Sequence, residues 1–458
     1  MTHTAAAAPV LDVVTSVAGA DPVLLTGVPW VGSRPERPVR SDQPVFEPLA
    51  RYRDAGGYPD LPDPDAIRAA AGRAGLRGAG GAGFPTAVKL AAVAAAPGPR
   101  VVVANGEEGE PASVKDRWLL RHRPHLVLDG LRVAAHAVGA TQSYLYVSDA
   151  AGAAAIRAAR AELAAAGAAG AAGAAGTLGT LGTLGAEELR IVQVAPAYVA
   201  GEETAVVRAI DGGEAKPLPK PPRPYEKGVN GQPTLVANVE SLARLGLAVR
   251  PGGVGRAAAT VLATVVHAGR AGLYEVPVGS SLGDLLGTVL GSTEPPRAVL
   301  LGGFAGGIWQ PDILDAALAH DALRARGALF GCGTVIAVGA DDCPIAAAAD
   351  VLAYLNGASA RQCGACVRGT EVVAEQAIRI AHGRAGEDAL TALERRADGM
   401  TGRGNCALPD AAAVMVRTLL RNFATEIGQH LAGPCSPCRR LVPETLSPHT
   451  RFRVRFDP

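Results

Sequence analysis

Between residues 66 and 196 the chain alternates helical and extended patterns, and this alternation is the strongest constraint on its fold. An alanine-rich helical stretch from Ala66 leads into a glycine loop. RVVVA at 100–104 then reads as a buried strand and residues 118–139 as largely helical, followed by SYLYVSD at 143–149, an alanine helix at 150–167 and LRIVQVAP at 189–196. Strands separated by helices predict an α/β sheet with parallel strands. A chain of 458 residues has length for roughly three domains, and 48% apolar content supplies their cores.

Charge and composition exclude several classes of function. The formal net charge is +1 with both signs interspersed, which provides no basic field for nucleic acid. The first lysine or arginine is Arg34, so the alanine-rich start lacks the positive region of a secretory signal. The apolar stretch 150–176 is interrupted by Arg157, Arg160 and Glu162, so no membrane span is expected. These features predict a cytoplasmic protein, at most peripheral to a membrane complex. Five of the seven cysteines fall within 363–438, a clustering that suits metal ligation in a reducing compartment. Alanine and glycine dominate while aromatic residues make up only 4%, which weakens any argument from glycine alone.

The pattern divides the chain into an N-terminal arm (1–45), an α/β domain (46–250), a short-stranded domain (251–310), a helical bundle (311–432) and a C-terminal tail carrying a C-x-x-C (433–458). In the bundle, helices are expected over 344–356, 370–383, 387–396 and 409–431. The repeat GAAGAAGAAGTLGTLGTLG at 167–185 reads as a flexible surface expansion.

Four segments carry the chemistry. Residues 78–83 (GAGGAG) match G-x-G-x-x-G, but the segment before them is helical rather than extended and no ribose-binding acid follows in a short βαβ unit. A glycine loop that enters a helix at Pro85-Thr86 still offers bare amides and a helix N-terminus to a phosphate, with Lys89 one turn in. Directly after RVVVA come Asn105, Glu107, Glu108 and Glu110, at the carboxyl end of a strand where α/β sheets bind ligands. YVAGEETA at 198–205 and the cysteines Cys363, Cys366 and Cys406 complete the set.

Together these segments resemble the NADH-oxidising flavoprotein subunit of respiratory complex I and its relatives among soluble hydrogenases and formate dehydrogenases. The family reads GLRGRGGAGFPTGLKW where this chain has GLRGAGGAGFPTAVKL, and it shares Asn105, Glu107, Glu108, Glu110-Pro111 and Lys115-Asp116-Arg117. Tyr198, Gly201, Glu202 and Glu203 match Y-x-C-G-E-E, with Ala200 in place of the cysteine, and further matches run through Lys220-Pro221-Pro222 to Asn238.

The resemblance implies an FMN-binding α/β sandwich domain, a ubiquitin-like β-grasp domain and a helical bundle carrying an iron–sulfur site. It assigns Gly78, Gly80, Gly81, Lys89, Asn105, Glu107, Glu108, Tyr198, Gly201, Glu202, Glu203 and Asn238 to the flavin, and Phe84, Glu110 and Lys220 to NADH. By the same resemblance two electrons arrive on FMN as hydride and leave singly through a [4Fe–4S] cluster to a thioredoxin-like [2Fe–2S] subunit and a larger iron–sulfur subunit.

The chain also departs from the family. Ala79 replaces an arginine, Leu90-Ala91-Ala92 replaces Trp-x-Phe, and KPPF has become KPPR with Arg223. Gly369 stands where the third cysteine of C-x-x-C-x-x-C belongs, leaving Cys363, Cys366 and Cys406 of a normal four-thiolate set. Cys435 or Cys438 is a candidate replacement. A zinc site from Cys363, Cys366, Cys435 and Cys438 is the alternative. Cys332 and Cys343 read as buried core thiols, and His122, His125 and His136 as packing or surface residues. Three functional readings remain: an NADH dehydrogenase-like electron-transfer subunit, a flavoprotein with another donor, and a non-catalytic scaffold.

Overall fold

The structure is a computed structural model that describes residues 8–26, 32–33, 46–170, 189–291, 294–386, 388–439 and 451–456. The chain forms two compact units. One comprises Val14–Gly109 and Val114–Val261, and the other Met1–Val13, Glu110–Ser113 and Leu262–Pro458.

The first unit is built on a four-stranded sheet in the order Leu189–Gln193, Ala140–Val147, Arg100–Asn105, Thr234–Asn238, with every neighbouring pair parallel. Val101, Val102, Val103 and Ala104 of the central strand are fully buried, as a parallel strand covered on both faces requires. Asn105 and Asn238 are register partners at the carboxyl ends of adjacent strands, which brings two of the four sequence segments side by side. The helices Pro124–Val138 and Val239–Ala248 meet backbone to backbone: a Cβ on Gly130 would lie 2.0 Å from the Leu242 carbonyl oxygen. The helical stretch expected over 118–139 is two helices, Lys115–His122 and Pro124–Val138. Pro124 disfavours a helical Arg123, which sits at φ −125° and ψ 46°. The helix Ala150–Gly170 enters the alanine–glycine repeat, whose residues 171–185 lie outside the described residues.

In the second unit Thr260–His267 and Arg270–Pro277 are joined by Ala268-Gly269, both at positive φ, the geometry of a two-residue hairpin turn. Helix Leu282–Leu290 follows, capped by Ser281 Oγ, which accepts from the Asp284 amide at 2.9 Å. Thr334–Val338 then pairs parallel with Thr260–His267 and antiparallel with Ala298–Leu301, beyond which lies Ile308–Trp309.

The N-terminal arm contains more structure than its composition predicts. Val10–Ser16 is a strand beside Arg270–Pro277, with Asp12 paired to Arg270 at 2.7 Å. The amide of Leu11 also donates to the Arg455 carbonyl, and the Arg455 amide donates to the Pro9 carbonyl, so this strand is tied to the segment 451–456.

The helical bundle consists of Pro344–Gly357, Glu371–Ala381, Asp388–Met400, Leu408–Asn422 and Ala424–Ala432. The single helix expected over 409–431 breaks at Phe423, a fully buried residue with φ −127° and ψ 33°. A π-helical turn, Ala365–Thr370, precedes Glu371–Ala381, a distortion that recurs at functional sites.

Candidate functional site

The glycine loop is fixed at its two ends and open in its middle. Gly78 donates to the Phe84 carbonyl at 2.8 Å, closing the loop, and Ala79 donates to Ser241 Oγ at 2.8 Å. The amides of Gly80, Gly81, Ala82 and Gly83 form no hydrogen bond of normal geometry among the described residues. The helix Thr86–Ala95 that follows has no side-chain cap and no acidic residue in its first turn. Loop and helix thus present uncompensated N–H dipoles, the arrangement that receives a phosphate.

Most side chains at the strand ends are engaged in holding the backbone. Asn105 Nδ2 donates to the Gly201 carbonyl at 2.8 Å while its Oδ1 accepts from the Glu107 amide at 3.2 Å. Glu108 accepts from the amides of Asp116 and Arg117, at the start of helix Lys115–His122. Glu202 caps helix Glu203–Ile210 through the amides of Thr204 and Ala205. Asn238 caps Val239–Ala248 through Glu240 and donates to Asp116 Oδ2 at 2.7 Å. Lys89 reaches Glu203 at 3.4 Å and Lys220 reaches Glu202 at 2.6 Å, a linked set of two lysines and two glutamates.

Glu107 differs from these. Its Oε1 accepts from the Ala197 amide at 3.3 Å, whereas its buried Oε2 forms no hydrogen bond of normal geometry. Burial holds this carboxyl above the ordinary value, opposed by Ser148 and the Ala197 amide. Gly201 lies against it, since a Cβ there would stand 3.0 Å from the Glu107 carbonyl oxygen. On the other side, a Cβ on Gly109 would meet the Tyr198 carbonyl oxygen at 2.6 Å. Open loop amides, an incompletely bonded buried carboxyl and glycine-only approaches fit a phosphate-bearing planar cofactor.

Phe84 and Val88, one helical turn apart, are each more than half exposed, with Phe84 at 52%. Glu110 belongs to the second unit, where its Oε2 accepts from the Phe304 amide at 3.0 Å and occupies the space a Cβ on Gly303 would need.

Cys363, Cys366 and Cys406 are electrostatic neighbours. Cys366 is pushed up to about 12 by burial, reinforced by the Cys363 sulfur and the charge at Cys406. Gly369 sits in the π-helical turn with no cysteine to offer, and a Cβ there would stand 2.3 Å from Met400 Sδ. Beside it lies a cavity of about 350 Å³ lined by Gly364, Gly369, Met400 and two arginines, Arg396 and Arg403. Three thiols are thus present near this turn, while the position where a fourth is expected is Gly369, which lines the cavity.

The remaining cysteines are elsewhere. Cys343 is buried, as expected, and Cys343, Cys435 and Cys438 converge with His430. Cys332 contacts Thr334 Oγ1 at 3.3 Å.

Sequence reasoning missed Ser241, which pins the glycine loop, and Lys115, whose ammonium lies 2.7 Å from Asp116 and 3.2 Å from Glu240. Burial alone would lower Lys115, yet Asp116, Glu240 and Glu108 together raise it, so it stays charged. It also missed His430, for which the spacing His-x4-Cys-x2-Cys was the available signal.

Comparison with known proteins identifies the family. Residues 71–246 match the family described as the Nuo51 FMN-binding domain, and residues 346–430 the NADH-ubiquinone oxidoreductase-F iron–sulfur binding region. The F 2 subunit of NADH-quinone oxidoreductase in Rhizobium meliloti (strain 1021) is 32% identical over 85% of this chain and 96% of its own length. HndC, a component of the NADP-reducing hydrogenase of Solidesulfovibrio fructosivorans, is 29% identical over 82% of this chain and 79% of its own. The crystal structure of an NAD+-reducing [NiFe]-hydrogenase in the H2-reduced state superposes with a TM-score of 0.70 at 31% identity, covering 84% of this chain and 66% of that one. With a phosphate-ready loop in one unit and a cysteine triad in the other, the chain belongs to the NADH-ubiquinone oxidoreductase-F family of FMN- and iron–sulfur-binding flavoproteins.

Proposed function

We propose that this chain is an NADH-oxidising electron-transfer subunit in which the loop 78–83 holds the FMN phosphate, Glu107 and Gly201 border the flavin, and Phe84 packs on the nicotinamide nucleotide. The observation that carries the reading is the row of unengaged amides from Gly80 to Gly83 beside an uncapped helix N-terminus. When bound, flavin takes two electrons as hydride and an iron–sulfur cluster carries them singly. No general acid or base is needed, so the protein's task is positioning and exclusion of water. Asn105, Glu108, Glu202 and Asn238 contribute by fixing the loops that face the cofactor, and the linked Lys89, Glu203, Lys220 and Glu202 shape the charge around it. Cys363, Cys366 and Cys406 hold the cluster.

The ubiquitin-like β-grasp assignment is part of this reading. It is supported by a hairpin followed by a helix and by a last strand, Thr334–Val338, inserted parallel to the first; that strand lies beyond residue 310, the expected end of the domain. Membership of multi-subunit oxidoreductases supports a thioredoxin-like [2Fe–2S] protein and a larger iron–sulfur protein as the electron acceptors. A cytoplasmic location, peripheral to a membrane complex, is consistent with the lack of any long apolar helix among the described residues.

Ala79, Ala92 and the exposed Arg223 favour a second reading, a flavoprotein with a donor other than NADH. An anaerobic NADH titration of the purified protein, followed by visible absorbance, separates the two. Bleaching of the flavin bands is the expected result. A yellow-brown protein that does not bleach supports the other donor, and a colourless one removes the electron-transfer reading.

A further inference from the structure

The four side chains Cys343, His430, Cys435 and Cys438 come from three places in the bundle unit. Cys343 immediately precedes helix Pro344–Gly357, His430 lies in the last turn of Ala424–Ala432, and Cys435 and Cys438 lie just before and within the short helix Ser436–Arg439. Their ligand atoms all lie within 4.8 Å of one another. His430 Nε2 stands 3.4 Å from Cys343 Sγ and 3.5 Å from Cys438 Sγ. A tetrahedral ion with bonds of about 2.3 Å to sulfur and 2.0 Å to nitrogen holds neighbouring ligand atoms about 3.5–3.8 Å apart. A four-iron cube anchors each thiolate on a different iron and spreads them farther. The spacing matches a single ion.

The ring orientation is set for the same purpose. His430 Nδ1 lies 2.7 Å from the Glu426 carbonyl oxygen, to which it donates, so in the neutral ring the lone pair is on Nε2, the nitrogen that faces the sulfurs. This hydrogen bond from the far ring nitrogen is the usual support of a metal-bound histidine. The site is also closed: Cys343, Cys438 and His430 are each at most 3% exposed, and four protein ligands leave no position for water or substrate. Closed Cys3His sets are structural rather than catalytic.

We propose that Cys343, His430, Cys435 and Cys438 bind one tetrahedral divalent ion of the zinc class, a structural site separate from the thiolates Cys363, Cys366 and Cys406. The ion joins the start of the first bundle helix to the end of the last long one. It closes a loop of chain that includes the whole cysteine triad, and metal-binding energy thereby becomes folding energy for this unit. Gly383 packs against Pro434, with a Cβ there only 2.7 Å from the proline ring, so the ligand loop is also seated on the helix Glu371–Ala381.

The test is elemental analysis of the full chain, purified with its cofactors, together with zinc-edge X-ray absorption. About one zinc per chain, with a shell of three sulfurs and one nitrogen, is expected. Cys435→Ser and Cys438→Ser should lower bound zinc roughly ten-fold or more after dialysis while iron and flavin stay at wild-type levels. Cys435→His, which keeps a ligand, should retain zinc and so guards against a trivial folding loss. Zinc absent from the wild type, zinc with a shell of oxygens and nitrogens, or iron lost in Cys438→Ser with zinc unchanged would each overturn the proposal. The last outcome would make Cys438 the missing cluster ligand instead.

Discussion

The flavin half and the cysteine half of this protein use their motif residues in opposite ways. In the flavin half Asn105, Glu108, Glu202 and Asn238 are bonded to backbone amides or carbonyls, and the groups left open are main-chain N–H groups of the glycine loop. In the cysteine half the backbone is engaged in helices and the side-chain sulfurs are the groups presented. A ligand held by backbone dipoles loses affinity gradually when one supporting side chain is removed. A ligand held by three thiolates has no such reserve.

The sharpest test of that contrast is Cys406→Ser. Iron content and cluster absorbance should be abolished while flavin content remains. An iron stoichiometry equal to wild type would break the comparison, since it would show that Cys406 is not a ligand and that the triad's proximity is incidental.

Asn238→Ala tests the other side. The substitution removes the cap of Val239–Ala248 and the partner of Asp116 Oδ2 inside a buried charged cluster. A lost cap and a buried carboxylate oxygen without its donor together cost about 2 kcal/mol of stability. Thermal unfolding should register that loss while the purified variant still carries flavin. If flavin is lost altogether from a folded variant, Asn238 contacts the cofactor directly and the scaffold account of this half fails.

What was legible in the sequence follows the same division. The strand at Arg100–Asn105 was readable because a continuous apolar run bounded by charged and polar residues has few other places to go. The glycine loop was readable as an anion site because helix, glycines and Pro85-Thr86 are contiguous. What those segments' side chains do was not readable, because capping and cross-strand bonds such as Asn238 to Asp116 depend on neighbours distant in sequence. Cys363-x-x-Cys366 invited a cluster and Cys435-x-x-Cys438 a spare ligand, yet the latter pair is completed by Cys343, placed there only by the packing of helix ends. Likewise Val10–Ser16 has a mixed pattern of polar and apolar residues and becomes a strand because the edge at Arg270–Pro277 is available to it.

Phe84→Ala sharpens the comparison at smaller amplitude. An aromatic ring 52% exposed contributes little to the core, so thermal stability should stay within about 0.5 kcal/mol of wild type. Loss of one stacking partner should raise the KM for NADH about five-fold, corresponding to roughly 1 kcal/mol, with kcat unchanged. A fall in stability with no change in KM would assign the ring to structure, and the donor would then bind elsewhere.

The smallest effect concerns pH. His125 is fully buried in the flavin half, with Nδ1 3.1 Å from the Tyr58 hydroxyl and Nε2 3.2 Å from Glu162 Oε2. The neutral ring satisfies both, Nε2–H donating to the carboxylate and Nδ1 accepting from the hydroxyl. Burial lowers its pKa below the ordinary 6.5, with Arg53 acting in the same direction and Glu162 and Asp129 opposing. In the unfolded chain the ring takes up a proton near that ordinary value, whereas in the folded protein it resists until lower pH. The unfolded state therefore binds more protons in the window below 6.5, and the stability present above that window is lost as the pH falls through it. Unfolding measured from pH 7.5 to 5 should show a steeper acid loss in the wild type than in His125→Gln, which cannot titrate. The difference should be confined to the window below 6.5 and should have this sign. A wild-type protein that gains stability on acidification relative to the variant would show that Glu162 controls the site, and that a charged pair rather than a neutral hydrogen-bonded chain holds this part of the flavin half.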